Sequence, residues 1–182
     1  MRYFLSKRLQ PFTRVLLIES GSRVLYEALL RDLYDLHPDM HADLVTCFGG
    51  VPNNFRTDLG QVYSVGDYPS RASRKLLYKQ LADNHYTVAG IICCGVPIMT
   101  KWKWVLAARL PAKIFILNEN CDYFWLDRGH LSAIRHFVLF RAGLTGSGAV
   151  RTLARLVSFP FTLLYLILYA ASVHLRRKLR TL

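Results

Sequence analysis

Along the first 120 residues, short apolar runs alternate with stretches in which apolar side chains recur every three or four positions. Arg14-Val-Leu-Leu-Ile18 is a β-branched and apolar run closed by Glu19-Ser-Gly-Ser22. Val24, Leu25, Ala28, Leu29, Leu33 and Leu36 then follow at helical spacing until His37-Pro38 stops the helix. Ala42–Phe48 reads as a second strand, closed by Gly49-Gly50-Val-Pro-Asn-Asn54, and Gln61–Val65 as a weaker third. Pro69-Ser70 opens a basic helix through Leu76, Leu77 and Leu81. Thr87–Cys93 is a fourth strand, a helix from Pro97 carries Trp102 to Leu110, and Lys113–Leu117 is a fifth strand.

Short, nearly continuous apolar strands separated by helices predict parallel crossovers in a sheet covered on both faces. The expected fold is α/β: a Rossmann-like, doubly wound parallel sheet of about five strands, with amphipathic and membrane helices after it. Such sheets bind ligands outside the carboxyl ends of their strands, where the chain order reverses. Those ends are Glu19–Ser22, Phe48–Asn54, Cys94–Pro97 and Asn118–Asp122.

The pattern changes after Asp122. Leu131–Ala142 has Arg135, His136 and Arg141 among apolar residues, as an amphipathic helix would, and Gly143–Gly148 breaks it. Leu156–Leu175 then runs for 20 residues without Asp, Glu, Lys or Arg, enough as a helix to cross a bilayer core of about 30 Å. Arg151 and Arg155 precede it, and Arg176, Arg177, Lys178 and Arg180 follow. Ser158, Thr162, Tyr165, Tyr169 and Ser172 form one mildly polar stripe on it, suited to a seam between helices or to headgroups beside an in-plane helix. Pro160 is a candidate kink.

Composition sharpens this division. The chain is 52% hydrophobic with a formal charge of +12. Residues 1–130 hold 16 Lys/Arg against all 12 acidic residues, whereas residues 131–182 hold eight Lys/Arg and no acid. A tail both apolar and cationic points to anionic lipid headgroups and away from nucleic acid, which calls for basic and aromatic residues interleaved on an exposed face. No stretch near the N-terminus has the apolar length of a signal peptide, and Cys47, Cys93, Cys94 and Cys121 have no disulfide-framework spacing. They are expected to be reduced, mostly buried thiols, with the domain on the cytoplasmic side of a membrane. The expected organisation is a basic segment over 1–12, the α/β domain over 13–128, the amphipathic helix and break over 129–149, and the membrane helix with its basic tail over 150–182.

Candidate chemistry lies at the strand ends. Ser20, Gly21 and Ser22 open a helix whose amide groups could receive an anion, although neither a dinucleotide fingerprint nor a P-loop is present. Gly49 and Gly50 permit close backbone approach. Asn118-Glu-Asn-Cys-Asp122 is the strongest polar cluster, with Asn118, Asn120 and Asp122 suited to hydroxyl recognition and Glu119 to general-base work. Each also has a bland reading as a turn or cap. His37 and His41 have no third ligand nearby, so neither a metal nor a cofactor is expected. Lys101-Trp-Lys-Trp104 could dock a headgroup or belong to a packing helix. Arg151, Arg155, Tyr165, Tyr169, Arg176, Arg177 and Lys178 are the expected membrane contacts.

The stretch RVLLIESGSRVLYEALLRDLYDLHPDMHADLVTCFGG resembles the opening β-α-β of glycosyltransferases with the two-domain GT-B fold, nearest in style to the ADP-heptose transferases. The resemblance covers residues 14–118 and is one of layout. It implies an acceptor-binding half, with Ser20–Ser22, Gly49–Gly50 and Asn118–Glu119 facing the acceptor. That family's second, sugar-nucleotide domain has no counterpart in this sequence, where a membrane helix follows instead. In this respect the chain is similar to the membrane-anchored subunit of split N-acetylglucosamine transferases, which implies a partner protein or a homo-oligomer. The sequence therefore suggests a membrane-attached, glycosyltransferase-like protein of glycan or glycolipid assembly, the alternative being a non-catalytic membrane scaffold.

Overall fold

The computed structural model describes residues 3–6, 8–118, 122–145 and 147–180. The chain divides into two compact units, Met1–Leu131 and Ser132–Leu182.

The first unit is an α/β domain. Its elements are β1 (Arg14–Ile18), α1 (Arg23–Leu36), β2 (His41–Thr46), β3 (Val62–Ser64), α2 (Arg71–Asp83), β4 (Val88–Cys93), α3 (Thr100–Arg109), β5 (Lys113–Asn118) and β6 (Tyr123–Trp125). They form one six-stranded sheet in the order β3-β2-β1-β4-β5-β6. The five parallel strands are those read from the apolar runs. The sixth corrects the expectation: β6 turns back antiparallel on β5, so the sheet is mixed. Chain order reverses between β1 and β4, because β1 leads outward to β2 and β3 before the chain returns to β4 and β5.

Period-two alternation sorts the core. Val15 and Leu17 of β1, Leu44 of β2, Val88 and Ile92 of β4, and Phe115 and Leu117 of β5 share a cluster with Tyr26, Leu30 and Leu33 of α1. Right-handed crossovers put α1 on that face and α2 and α3 on the other. There Tyr78 of α2 meets Trp102 of α3 edge-on at 5.4 Å, and the Arg109 guanidinium sits 4.8 Å from the Tyr78 ring centroid. Gly90 on β4 is required by this packing, since a Cβ there would come within 2.4 Å of Phe115 Cζ and 2.8 Å of Leu17 Cδ2. At the start of α2, Ser70 and Ser73 form a reciprocal capping box.

Described residues ahead of β1 bond to this domain. Lys113 Nζ donates to the carbonyls of Ser6 (2.8 Å) and Arg8 (3.2 Å), and Thr87 Oγ1 donates to Pro11 O (2.7 Å). Phe12 stacks on His37 with ring centroids 4.6 Å apart.

The second unit is helical: α4 (Leu131–Arg141) and α5 (Ser147–Arg180). The described part of the glycine-rich break ends α4 in a Schellman motif. Gly143 has φ +66°, its N–H donates to Phe140 O (3.0 Å), and Leu144 N–H donates to Leu139 O (2.8 Å). Helix α5 has 34 residues, about 51 Å at the usual rise, and Pro160 lies inside it without ending it.

Candidate functional site

The carboxyl ends of the parallel strands form one edge of the sheet, and the residues after β1 are its best-defined part. Glu19 is fully buried. Arg23 donates to its carboxylate through Nε (2.8 Å) and Nη2 (3.2 Å), and Thr46 Oγ1 donates at 2.5 Å. Arg23 Nη1 also donates to Gly49 O (2.8 Å), and its guanidinium lies 5.3 Å from the Phe48 ring centroid. This cluster ties the β1 turn, the first turn of α1 and the loop after β2 together. It is a brace whose bonds are spent inside the protein.

Of the Ser20–Ser22 turn, Ser20 and Gly21 are buried and only Ser22 is exposed. The Ser20 hydroxyl donates to Ile92 O of β4 (2.7 Å). Gly21 presses on the same strand, where a Cβ would stand 2.3 Å from Ile92 Cγ2. Ser22 occupies the N-cap of α1 and makes no side-chain cap bond. These residues thus close the β1–β4 switch point from the β1 side, leaving Ser22 and the helix start at the surface.

Gly49 and Gly50 lie exposed in the loop after β2, with open space at both Cβ positions and φ +71° at Gly50. Asn118 at the end of β5 and Asp122 just ahead of β6 bond to each other. Asn118 Nδ2 donates to Asp122 Oδ2 (3.2 Å), and Asp122 N–H donates to Asn118 Oδ1 (2.9 Å). The hairpin accounts for this pair as turn-closing groups. Glu119, Asn120 and Cys121 lie outside the described residues. Cys47 is exposed, Cys94 half-buried and Cys93 buried, so the thiols are less uniformly interior than expected. Partial burial nonetheless pushes the Cys47 thiol up, reinforced by the Glu19 charge.

Three features escaped the sequence. Lys103 of α3, in the Lys101–Trp104 run read as a headgroup dock or part of a packing helix, is buried, and its Nζ donates to Ile92 O at 3.4 Å. Asp43 and Tyr86 form a second buried pair (2.5 Å), joined by Asn84 Nδ2, which donates to the Tyr86 hydroxyl (2.9 Å). Burial pushes the Tyr86 hydroxyl far above its ordinary range, so it stays a donor to Asp43. An apolar trough of about 430 Å³ lies on the α1 face, walled by Leu9, Phe12, Leu25, Leu29, Phe115, Tyr123 and Trp125. Among the described residues no group of three or more His, Cys, Asp or Glu is arranged to hold a metal ion. His37 is stacked on Phe12, and His41 is bonded to Leu59 O (3.2 Å).

In the second unit, Ala149–Lys178 is by length and composition a helix able to cross a membrane, and its apolar window is unburied. Leu156, Phe159, Phe161 and Tyr165 are 64–71% exposed. The stripe is largely self-satisfied: Ser158 Oγ donates to Arg155 O (3.1 Å), Thr162 Oγ1 to Ser158 O (3.0 Å) and Ser172 Oγ to Tyr169 O (2.8 Å). Tyr165 and Tyr169 stack with centroids 6.3 Å apart. No residue of helix α4 is fully buried either, and Val138 and Phe140 are 55% and 60% exposed. Arg151, Arg155, Arg176, Arg177 and Lys178 are exposed toward the two ends of α5. Comparison with family models, with curated proteins and with solved structures gives no match.

Proposed function

We propose that this chain is a membrane-attached, Rossmann-like domain, resembling half of a GT-B glycosyltransferase, that works with a partner subunit in glycan or glycolipid assembly. The observation that carries this reading is the combination, in one chain, of a sheet whose order reverses between β1 and β4 and a long apolar helix left unburied. The first is where α/β sheets hold small polar ligands. The second leaves far more apolar surface uncovered than a soluble monomer tolerates. A lipid-borne acceptor calls for a polar-ligand edge in a protein held at a membrane.

In this reading α5 spans the bilayer. An in-plane helix needs a strongly charged face. Here the stripe offers only Ser, Thr and Tyr, and Ser158, Thr162 and Ser172 bond their own helix carbonyls. Anionic headgroups meet the Arg and Lys residues at its ends. The exposed Cys47 thiol favours placing the domain on the reducing, cytoplasmic side.

The apolar trough favours a second reading, a scaffold that receives a partner protein there without catalysis. Mild detergent extraction, with mass spectrometry of the co-purified lipids and proteins, separates the two. The first reading predicts a saccharide-bearing lipid and a second transferase subunit. A protein partner with bulk phospholipid alone supports the scaffold.

A further inference from the structure

We infer that Lys103 receives a phosphate group at the switch point between β1 and β4. This rests on the reading above for the choice of that edge and adds the chemical class of ligand.

Among the described residues two lysines of this domain are buried, Lys103 and Lys113, and they are treated differently. Lys113 has an aspartate 2.7 Å away and two carbonyl acceptors. Lys103 is 6% exposed, and among the described residues its ammonium reaches no carboxylate and makes one bond, 3.4 Å long, to Ile92 O. An ammonium has three donors, and burying it without a counter-charge is costly. Such a group is retained where something else completes its shell.

The position of that ammonium says what completes it. Ile91 pairs with Ile18 at the last rung between β4 and β1, so Ile92 O is the first acceptor beyond that ladder. The Ser20 hydroxyl takes it from the β1 side at 2.7 Å, and Lys103 Nζ shares it. The ammonium therefore shares its acceptor with the turn that opens α1. Gly21 holds this turn against Ile92 with no room for a side chain. The N-cap residue of α1, Ser22, makes no side-chain cap bond to its first turn. A tetrahedral anion here would accept from the remaining Lys103 donors and from amide groups at the start of a 14-residue helix. Lysine serves phosphate as a point charge without needing the planar fork of arginine. The phosphate is either a soluble diphosphate or the headgroup of a lipid.

The test uses the full chain in phosphatidylcholine nanodiscs and follows thermal unfolding. Three additions are compared: sodium pyrophosphate at matched ionic strength, phosphatidic acid in the disc, and a neutral glucosyl diacylglycerol in the disc. Pyrophosphate or phosphatidic acid should raise Tm, and Lys103→Met should weaken that response roughly tenfold or more. Tm without ligand should stay unchanged or rise in the variant, since a buried charge has gone. Lys103→Gln repeats the test with a neutral polar side chain, and the wild-type series decides alone should neither variant fold. A response to pyrophosphate identifies a soluble source, and a response to phosphatidic acid alone identifies a headgroup. No response to either phosphate, or an equal response in both variants, overturns the inference. A shift with the glucosyl lipid alone overturns it while leaving the glycolipid reading in place. A Lys103-dependent phosphate shift without any glucosyl effect upholds it and counts against that reading.

Discussion

Lys113 Nζ and Asp127 Oδ2 lie 2.7 Å apart with side chains only 1% and 2% exposed, joining the start of β5 to the residue pair that follows β6. Burial alone would raise the Asp127 carboxyl. The Lys113 ammonium, His130 Nδ1 and the Gly129 N–H outweigh it and hold the carboxyl at about 2. A carboxylate held below its unfolded value adds stability above that value and loses it as pH falls through the folded one. The domain should therefore lose stability from about pH 4 down to about pH 2. Asp127→Asn should remove most of that dependence and cost roughly 3–5 kcal/mol at neutral pH, because Lys113 is left buried without a counter-ion. Circular dichroism melts of both proteins across this range check it.

Arg23 and Arg31 lie on one helix and should behave differently. Glu19 has no exposed surface and depends on Arg23 and Thr46, whereas Arg31 and Asp32 are 68% and 67% exposed at 3.6 Å. Arg23→Met should destabilise by roughly 3 kcal/mol by stranding a buried carboxylate. Arg31→Met should change stability by less than about 1 kcal/mol. Urea melts of the two variants should separate clearly, and equal midpoints would contradict the brace.

Gly90→Ala should cost about 1–3 kcal/mol, because its methyl would meet Phe115 2.4 Å away. Phe115→Leu removes the obstructing ring edge at the price of a cavity. The double variant should be more stable than the two single losses added together, as a double-mutant cycle would show.

The five parallel strands were legible because strands buried on both faces read as unbroken apolar runs. Helix α1 was legible from its spacing and its stop at His37-Pro38. Strand β6 escaped because three residues carry too little pattern, with Tyr123 70% exposed and Trp125 turned inward. Its signal was the turn-forming Asn118 and Asp122, which the sequence equally allowed as a binding cluster. The burial of Lys103 was not legible, because helical position alone does not reveal which long side chain of the Lys101–Trp104 run folds inward. The Lys113–Asp127 pair depends on a strand reversal that no local spacing announces. At the site, the Ser20–Ser22 turn was legible as a strand end. That the Ser20 hydroxyl and the Gly21 backbone are spent on Ile92 required the packed structure.

Attachment to a membrane through α5 is tested most directly by fractionation. Salt does not screen apolar burial, whereas it weakens attachment by exposed charge alone. The full chain is predicted to remain in the membrane pellet after a high-salt wash, and a chain cut after Leu131, at the boundary of the first unit, to pass into the supernatant. Full-length protein recovered in the supernatant of a low-salt lysate would contradict the account.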